Sequence, residues 1–170
     1  MSALDTLTAG KAIATVFGLG YLRPASGTWA SAATIALASG LHLLGGFPLV
    51  ALATVLATAL GFWACADMLR GLADHDPSEV VIDEVAGQLL AFCATSYGLW
   101  HAGVTSLPWP AWLVPFVLFR LFDIWKPWLV GWADRHDGPA WVMLDDLFAG
   151  LFAAIVSVAL AGLYHGVLAR

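Results

Sequence analysis

Charge is scarce in this sequence. Only 11% of the 170 residues are Asp, Glu, Lys or Arg, while 61% are hydrophobic, and the mean hydropathy is +0.83. Soluble domains carry about 25% charged residues. So few charges cannot coat a water-exposed surface of this size, and lipid is the expected solvent. No basic patch exists, and the net charge is −5, so no nucleic-acid partner is expected. Cysteine is nearly absent. Cys65 and Cys93 lie in apolar runs and read as small buried hydrophobes. A tyrosine-phosphatase loop would need Arg six residues after its Cys, and Gly71 and Leu99 stand there instead. A secretory signal is also missing: Asp5 interrupts the start, and no basic stretch precedes an apolar core. The N-terminus is therefore expected to be retained.

What the chain does have is long apolar runs. A spanning helix needs about 20 mostly apolar residues. Five segments qualify: 28–44, 48–66, 80–100, 109–125 and 145–168. An amphipathic segment at 4–17 is expected to lie along the interface. The expected fold is all-α, one polytopic membrane helical bundle of about five transmembrane helices, forming a single domain over residues 1–170.

Alternating the five helices puts all 12 acidic residues on the N-terminal side of the bilayer. Lys11, Arg23, Arg70, Arg120, Lys126 and Arg135 fall there too, and only Arg170 does not. The positive-inside rule makes that face cytoplasmic. Trp29, Trp63, Trp125, Trp128, Trp132 and Trp141 sit near it, and Trp100, Trp109 and Trp112 near the other boundary, as indoles favour headgroup depth.

Snorkelling explains the cations. It does not explain Asp83, Glu84, Asp123, Asp145 and Asp146, short acids set within helical turns. Acids in a membrane are costly and functional by default. Asp83 and Glu84 open one helix, with Gly87 a turn below Asp83. Asp145 and Asp146 repeat the layout, with Gly150 a turn below Asp146. Helices meeting through Gly87 and Gly150 would approach closely and gather four carboxylates. Such a set suits a hard cation such as Mg²⁺. Arg120, Asp123 and Lys126 recur every three residues, broadly along one helix face. Arg120 and Lys126 suit phosphate, with an internal salt bridge as the alternative. Gly27 and Thr28, in a breaker-rich loop opening a helix, offer backbone N–H groups to an anion. His75, Asp134 and Arg135 add titratable groups on the same side. Asp74-His75-Asp76 mimics a haloacid-dehalogenase motif, but no apolar strand precedes it.

Together these motifs resemble the phosphatidylglycerophosphatase A family. The resemblance runs from about Phe17 to Gly150, and its best segments are HDPSEVVIDEVAGQLL, FVLFRLFDIWKPW and VMLDDLFAG. It departs in small ways. Ser26 stands before Gly27 where the family has Pro, and Ala30-Ser31 replaces a usual Gly-Ser pair. Leu129 replaces a frequent Pro, and the Gly-rich stretch before the last acids shrinks to Gly138-Pro139-Ala140-Trp141.

The resemblance implies a Mg²⁺-dependent phosphatase of a bacterial cytoplasmic (inner) membrane. Its substrate would be phosphatidylglycerophosphate in the cytoplasmic leaflet, and its product phosphatidylglycerol. Asp83, Glu84, Asp145 and Asp146 would hold the metal. Arg120, Lys126, Gly27 and Thr28 would bind phosphate. Asp123 would orient Arg120 or act as a base, with Asp134, His75 and Arg135 nearby. Direct water attack and an aspartyl-phosphate both remain open, as does oligomeric state. Two rivals differ in class. A CDP-alcohol phosphotransferase would need a longer Asp-Gly…Ala-Arg pattern that is missing. A divalent-cation transporter would carry acids near the midplane.

Overall fold

The structure, a computed structural model, describes residues 8–70 and 77–168. His75, with Asp74 and Asp76, lies outside the described residues. Among the described residues every regular element is helical.

The first helix, α1 (Ala9–Ala14), is short. The Thr8 side chain caps it by accepting the Lys11 N–H at 3.1 Å. Gly10 and Ala14 are buried. The Ala14 carbonyl accepts the Val81 N–H at 2.9 Å, which ties α1 to the residue that caps the helix Ile82–His101. The described part of the expected interfacial segment is thus packed against the bundle on one side.

The stretch α2 (Ser26–Met68) is helical on both sides of Gly46, whose φ of 67° and ψ of −159° break it. Only glycine adopts such a backbone without strain. Side-chain contacts with α3 (Ile82–His101) show that the chain doubles back there. Gly27 abuts Glu84, His42 Nδ1 lies 2.8 Å from Ser96 Oγ, and Gly46 abuts Trp100. Contacts then return: Thr54 Oγ1 lies 3.2 Å from Cys93 Sγ, and Gly61 abuts Ile82 and Met143. The two halves are therefore antiparallel, as the division near Gly45 predicts. Each half, at 1.5 Å rise per residue, is about 30 Å long.

Then follow α4 (Trp109–Trp125), α5 (Leu129–Asp134) and α6 (Pro139–Leu163), which ends in a π-helical turn, Tyr164–Leu168. Two of these differ from expectation. The segment 128–144, read as loop, contains α5. And α6 begins at Pro139, behind Gly138 at φ 121°, because proline is preorganised for the first helical position. Asp145 and Asp146 therefore sit in the second turn, not at the helix start. Ser26–Met68 and Pro139–Gly166 are long and apolar enough to cross a membrane. Large apolar side chains such as Leu37, Val55, Ile155 and Val158 are more than half exposed on the helix sides, a surface that fits a membrane-associated protein.

The tightest crossing joins α3 and α6. A Cβ on Gly87 would collide with the Asp146 carbonyl and the Phe119 ring, and one on Gly150 with the Gly87 carbonyl. Small neighbours Ala91, Ala149 and Ala153 pack with Phe119 below it. Enlarging either glycine must spread the helices. Gly87→Leu and Gly150→Leu should each cost about 1–3 kcal/mol or more, read as a lowered unfolding temperature in detergent. Gly98→Ala, on the same helix but facing open space, should leave that temperature unchanged or raise it slightly.

Candidate metal and phosphate site

Four elements meet at one end of the bundle, three of them with charged groups. The start of α2 brings Gly27 and Ser31, and the first turn of α3 brings Asp83 and Glu84. The last turns of α4 bring Arg120 and Asp123, with Lys126 capping that helix at φ 51°. The second turn of α6 brings Asp145 and Asp146. Hydrogen bonds fix the two loops feeding this end. Ser26 Oγ donates to the Ser78 carbonyl at 2.8 Å, and Arg23 Nη2 donates to Ser78 Oγ at 3.0 Å.

Asp83, Glu84 and Asp146 each point a carboxylate oxygen to a common place, all within 4.8 Å of one another. Asp83 and Asp146 are buried. Glu84 Oε2 is buried and has no hydrogen-bond partner. Three carboxylates this close and this dry repel each other unless a cation or protons intervene. An oxygen-only set of this kind fits a hard divalent cation.

Arg120 and Asp123 form an ion pair at 2.6 Å, with side chains only 16% and 14% exposed. Arg120 Nη1 also reaches Ser31 Oγ at 3.4 Å, and Ser31 in turn donates to the Gly27 carbonyl at 2.8 Å. Gly27 is needed where it stands: a Cβ there would strike the Glu84 carboxylate and approach Arg120. The Arg120 Nε remains buried without a partner. Lys126 Nζ lies 3.2 Å from Asp145 Oδ2 and also bonds Asp134. Burial disfavours the charged ammonium, but Asp134 and Asp145 outweigh that and raise its pKa above the ordinary lysine value. Lys126 thus stays cationic at neutral pH.

The family profile of phosphatidylglycerophosphatase A matches residues 12–161. The chain belongs to this family. It is 33% identical over 149 residues to the phosphatidylglycerophosphatase A of Haemophilus influenzae, covering 87% of this chain and 86% of that one. To the Escherichia coli phosphatidylglycerophosphatase A it is 31% identical over 145 residues, covering 84% and 77%. A Bacteroides thetaiotaomicron protein named "Putative phosphatidylinositol-3-phosphatase" is 33% identical over 151 residues, covering 85% and 88%. No solved structure matches the chain.

Most residues singled out in the sequence meet here: Gly27, Asp83, Glu84, Arg120, Asp123, Lys126, Asp134, Asp145 and Asp146. Their grouping is finer than expected. Asp145 pairs with Lys126, whereas Asp83, Glu84 and Asp146 form the close triad. Asp145 Oδ1 also accepts the Asp146 N–H at 2.9 Å. Lys126, expected to meet phosphate, already holds two carboxylates. Thr28 is half-buried, and its N–H is taken by the Ala25 carbonyl at 3.0 Å. Arg135 is exposed at the end of α5. Two further residues have no site role on the sequence alone, Ser31 being noted only as part of the Ala30-Ser31 departure. Ser31 follows Gly27 by four residues, and Gln88 follows Glu84 by four, so each lies one turn deeper on the same helix face. Gln88 is fully buried, and neither of its amide atoms has a partner.

The Arg120–Asp123 pair yields a test. Removing one member strands the other charge, which costs about 3–5 kcal/mol for a buried pair. Arg120→Met and Asp123→Leu should each lower the unfolding temperature in detergent sharply, and the double variant should recover much of the loss. Additive losses would show that the two side chains do not depend on each other.

Proposed function

We propose that this chain hydrolyses the terminal phosphate of phosphatidylglycerophosphate, giving phosphatidylglycerol and free phosphate, with Mg²⁺ as cofactor. The observation that carries the reading is the buried triad Asp83, Glu84 and Asp146 beside Arg120, at one end of an apolar-sided bundle. The names of the Haemophilus and Escherichia relatives supply the substrate. In this reading the two halves of α2, with α3, α4 and α6, make five spans. The site end faces the cytoplasm, because the basic residues gather there. Acids at one end of the bundle favour a headgroup enzyme over a transporter, whose site would sit near the midplane.

Asp83, Glu84 and Asp146 would hold the metal, with Asp145 close by. A bound Mg²⁺ would offset phosphate charge and polarise the phosphoryl oxygens. Arg120 donates to the phosphate, using the Nε that is otherwise unpartnered. Its guanidinium stabilises the charge that spreads over the phosphoryl oxygens, the main lever in phosphoryl transfer. Asp123, 2.6 Å from Arg120, holds the guanidinium in place. Lys126, kept charged by Asp134 and Asp145, adds a second cation at the rim. Water forms the new P–O bond, the P–O bond to glycerol breaks, and a proton ends on the glycerol oxygen. Gly27, without a side chain, lets the Glu84 carboxylate and the Arg120 guanidinium close against the start of α2. The Bacteroides relative's name supports a second reading in which the lipid headgroup differs but the reaction does not.

Phosphate release from phosphatidylglycerophosphate by purified protein should require Mg²⁺ and stop with EDTA. Asp83→Asn and Asp146→Asn should each lower turnover by about a thousandfold, with an unchanged helical circular-dichroism spectrum. EDTA-resistant turnover, or full activity in both variants, would remove the metal from the reaction. Running phosphatidylinositol 3-phosphate alongside decides the headgroup.

A further inference from the structure

A furrow of about 500 Å³ runs between the first half of α2 and α4. Ala32, Ile35 and Ala36 line one wall, and Leu113 and Phe116 the other. Leu43 and Trp112 lie at its far end. The walls are almost wholly apolar. Small residues on α2 create the space, since Ala32, Ala36 and Ser39 face the larger side chains of α4.

Three features say what fills it. The furrow begins beside the phosphate-binding end, because Ala32 adjoins Ser31 and Phe116 lies one turn from Arg120. From Ala32 to Leu43 it extends eleven residues, about 16 Å at 1.5 Å per residue. One leaflet of a bilayer core is about 15 Å deep. It is also open on its outer side, where Ala36, Leu43 and Trp112 are exposed, so a chain can slide in laterally. A lipid whose terminal phosphate meets Arg120, with its glycerol-phosphate-glycerol headgroup lying along the interface, has one hydrocarbon tail positioned to descend into the furrow.

We infer that this furrow is the acyl-chain subsite of the enzyme and that it selects substrates by chain length. The inference rests on the lipid-phosphatase reading above and adds to it the part of the lipid that the site measures. An ordinary bilayer lipid resting there with no bearing on turnover is the competing occupant.

The test uses two forms of phosphatidylglycerophosphate, dihexanoyl and dipalmitoyl, in mixed micelles. Ser39 sits about 10 Å below Ala32 by helix rise, beyond a hexanoyl tail and within reach of a palmitoyl one. Ser39→Leu and Ser39→Phe should lower kcat/KM for the long form progressively, Phe by about tenfold or more, the scale of a few misfitted carbons in an apolar pocket. The short form should change by less than about twofold, which also reports that the variants fold. Leu37→Phe, a bulky change on the outer side of the same helix, should alter neither. Equal losses on both forms, no loss on either, or the same loss from Leu37→Phe would overturn the subsite. If the unaltered protein releases phosphate only from a different phosphorylated lipid, the substrate reading fails. The same long-to-short ratio measured on that lipid then decides the furrow by itself.

Discussion

The close crossing of α3 and α6 is the contact on which the rest depends. Gly87 and Gly150 let the two backbones touch. Asp83 stands one turn from Gly87, and Asp146 one turn from Gly150. With the helix axes this near, carboxylates that are 63 residues apart in sequence share one small volume. In lipid such packing replaces the hydrophobic drive that assembles soluble cores. The glycines therefore supply both the adhesion of the bundle and the geometry of the triad.

The charge pattern has its own logic. Five carboxylates, those of Asp83, Glu84, Asp123, Asp145 and Asp146, face two cations, Arg120 and Lys126. Asp123 pairs with Arg120 and Asp145 with Lys126. Asp83, Glu84 and Asp146 are the acids that converge. Glu84 Oε2 and Arg120 Nε are buried without hydrogen-bond partners, and both side chains lie against Gly27.

Much of this was legible in the residues. Apolar run length placed the long helices, and Gly45-Gly46 with Pro48 marked the reversal. Glycines one turn below two acidic pairs announced the α3–α6 contact. Three things were not legible. The start of α6 was misplaced because acidic residues resemble a helix opening, whereas Pro139 behind Gly138 controls the real start. Asp145 and Asp146 look equivalent in sequence, but neighbours on a helix point about 100° apart, so one meets Lys126 and the other the triad. Gln88 was passed over, and Ser31 was noted only as part of a changed Gly-Ser pair, because an isolated Ser or Gln in an apolar run carries no local signal. Only their spacing of four from Gly27 and Glu84 points inward. The His75 expectation lies outside the described residues.

The arrangement also has a bearing on synthesis. No single helix carries the whole triad: α3 holds two of its members, and the third, Asp146, is on α6, which follows α4 and α5 in the chain. A nascent chain made only through α4 has Arg120 and two of the triad's carboxylates and lacks Asp146. The triad is thus assembled only once α6 has docked on α3, and any product truncated before α6 lacks it.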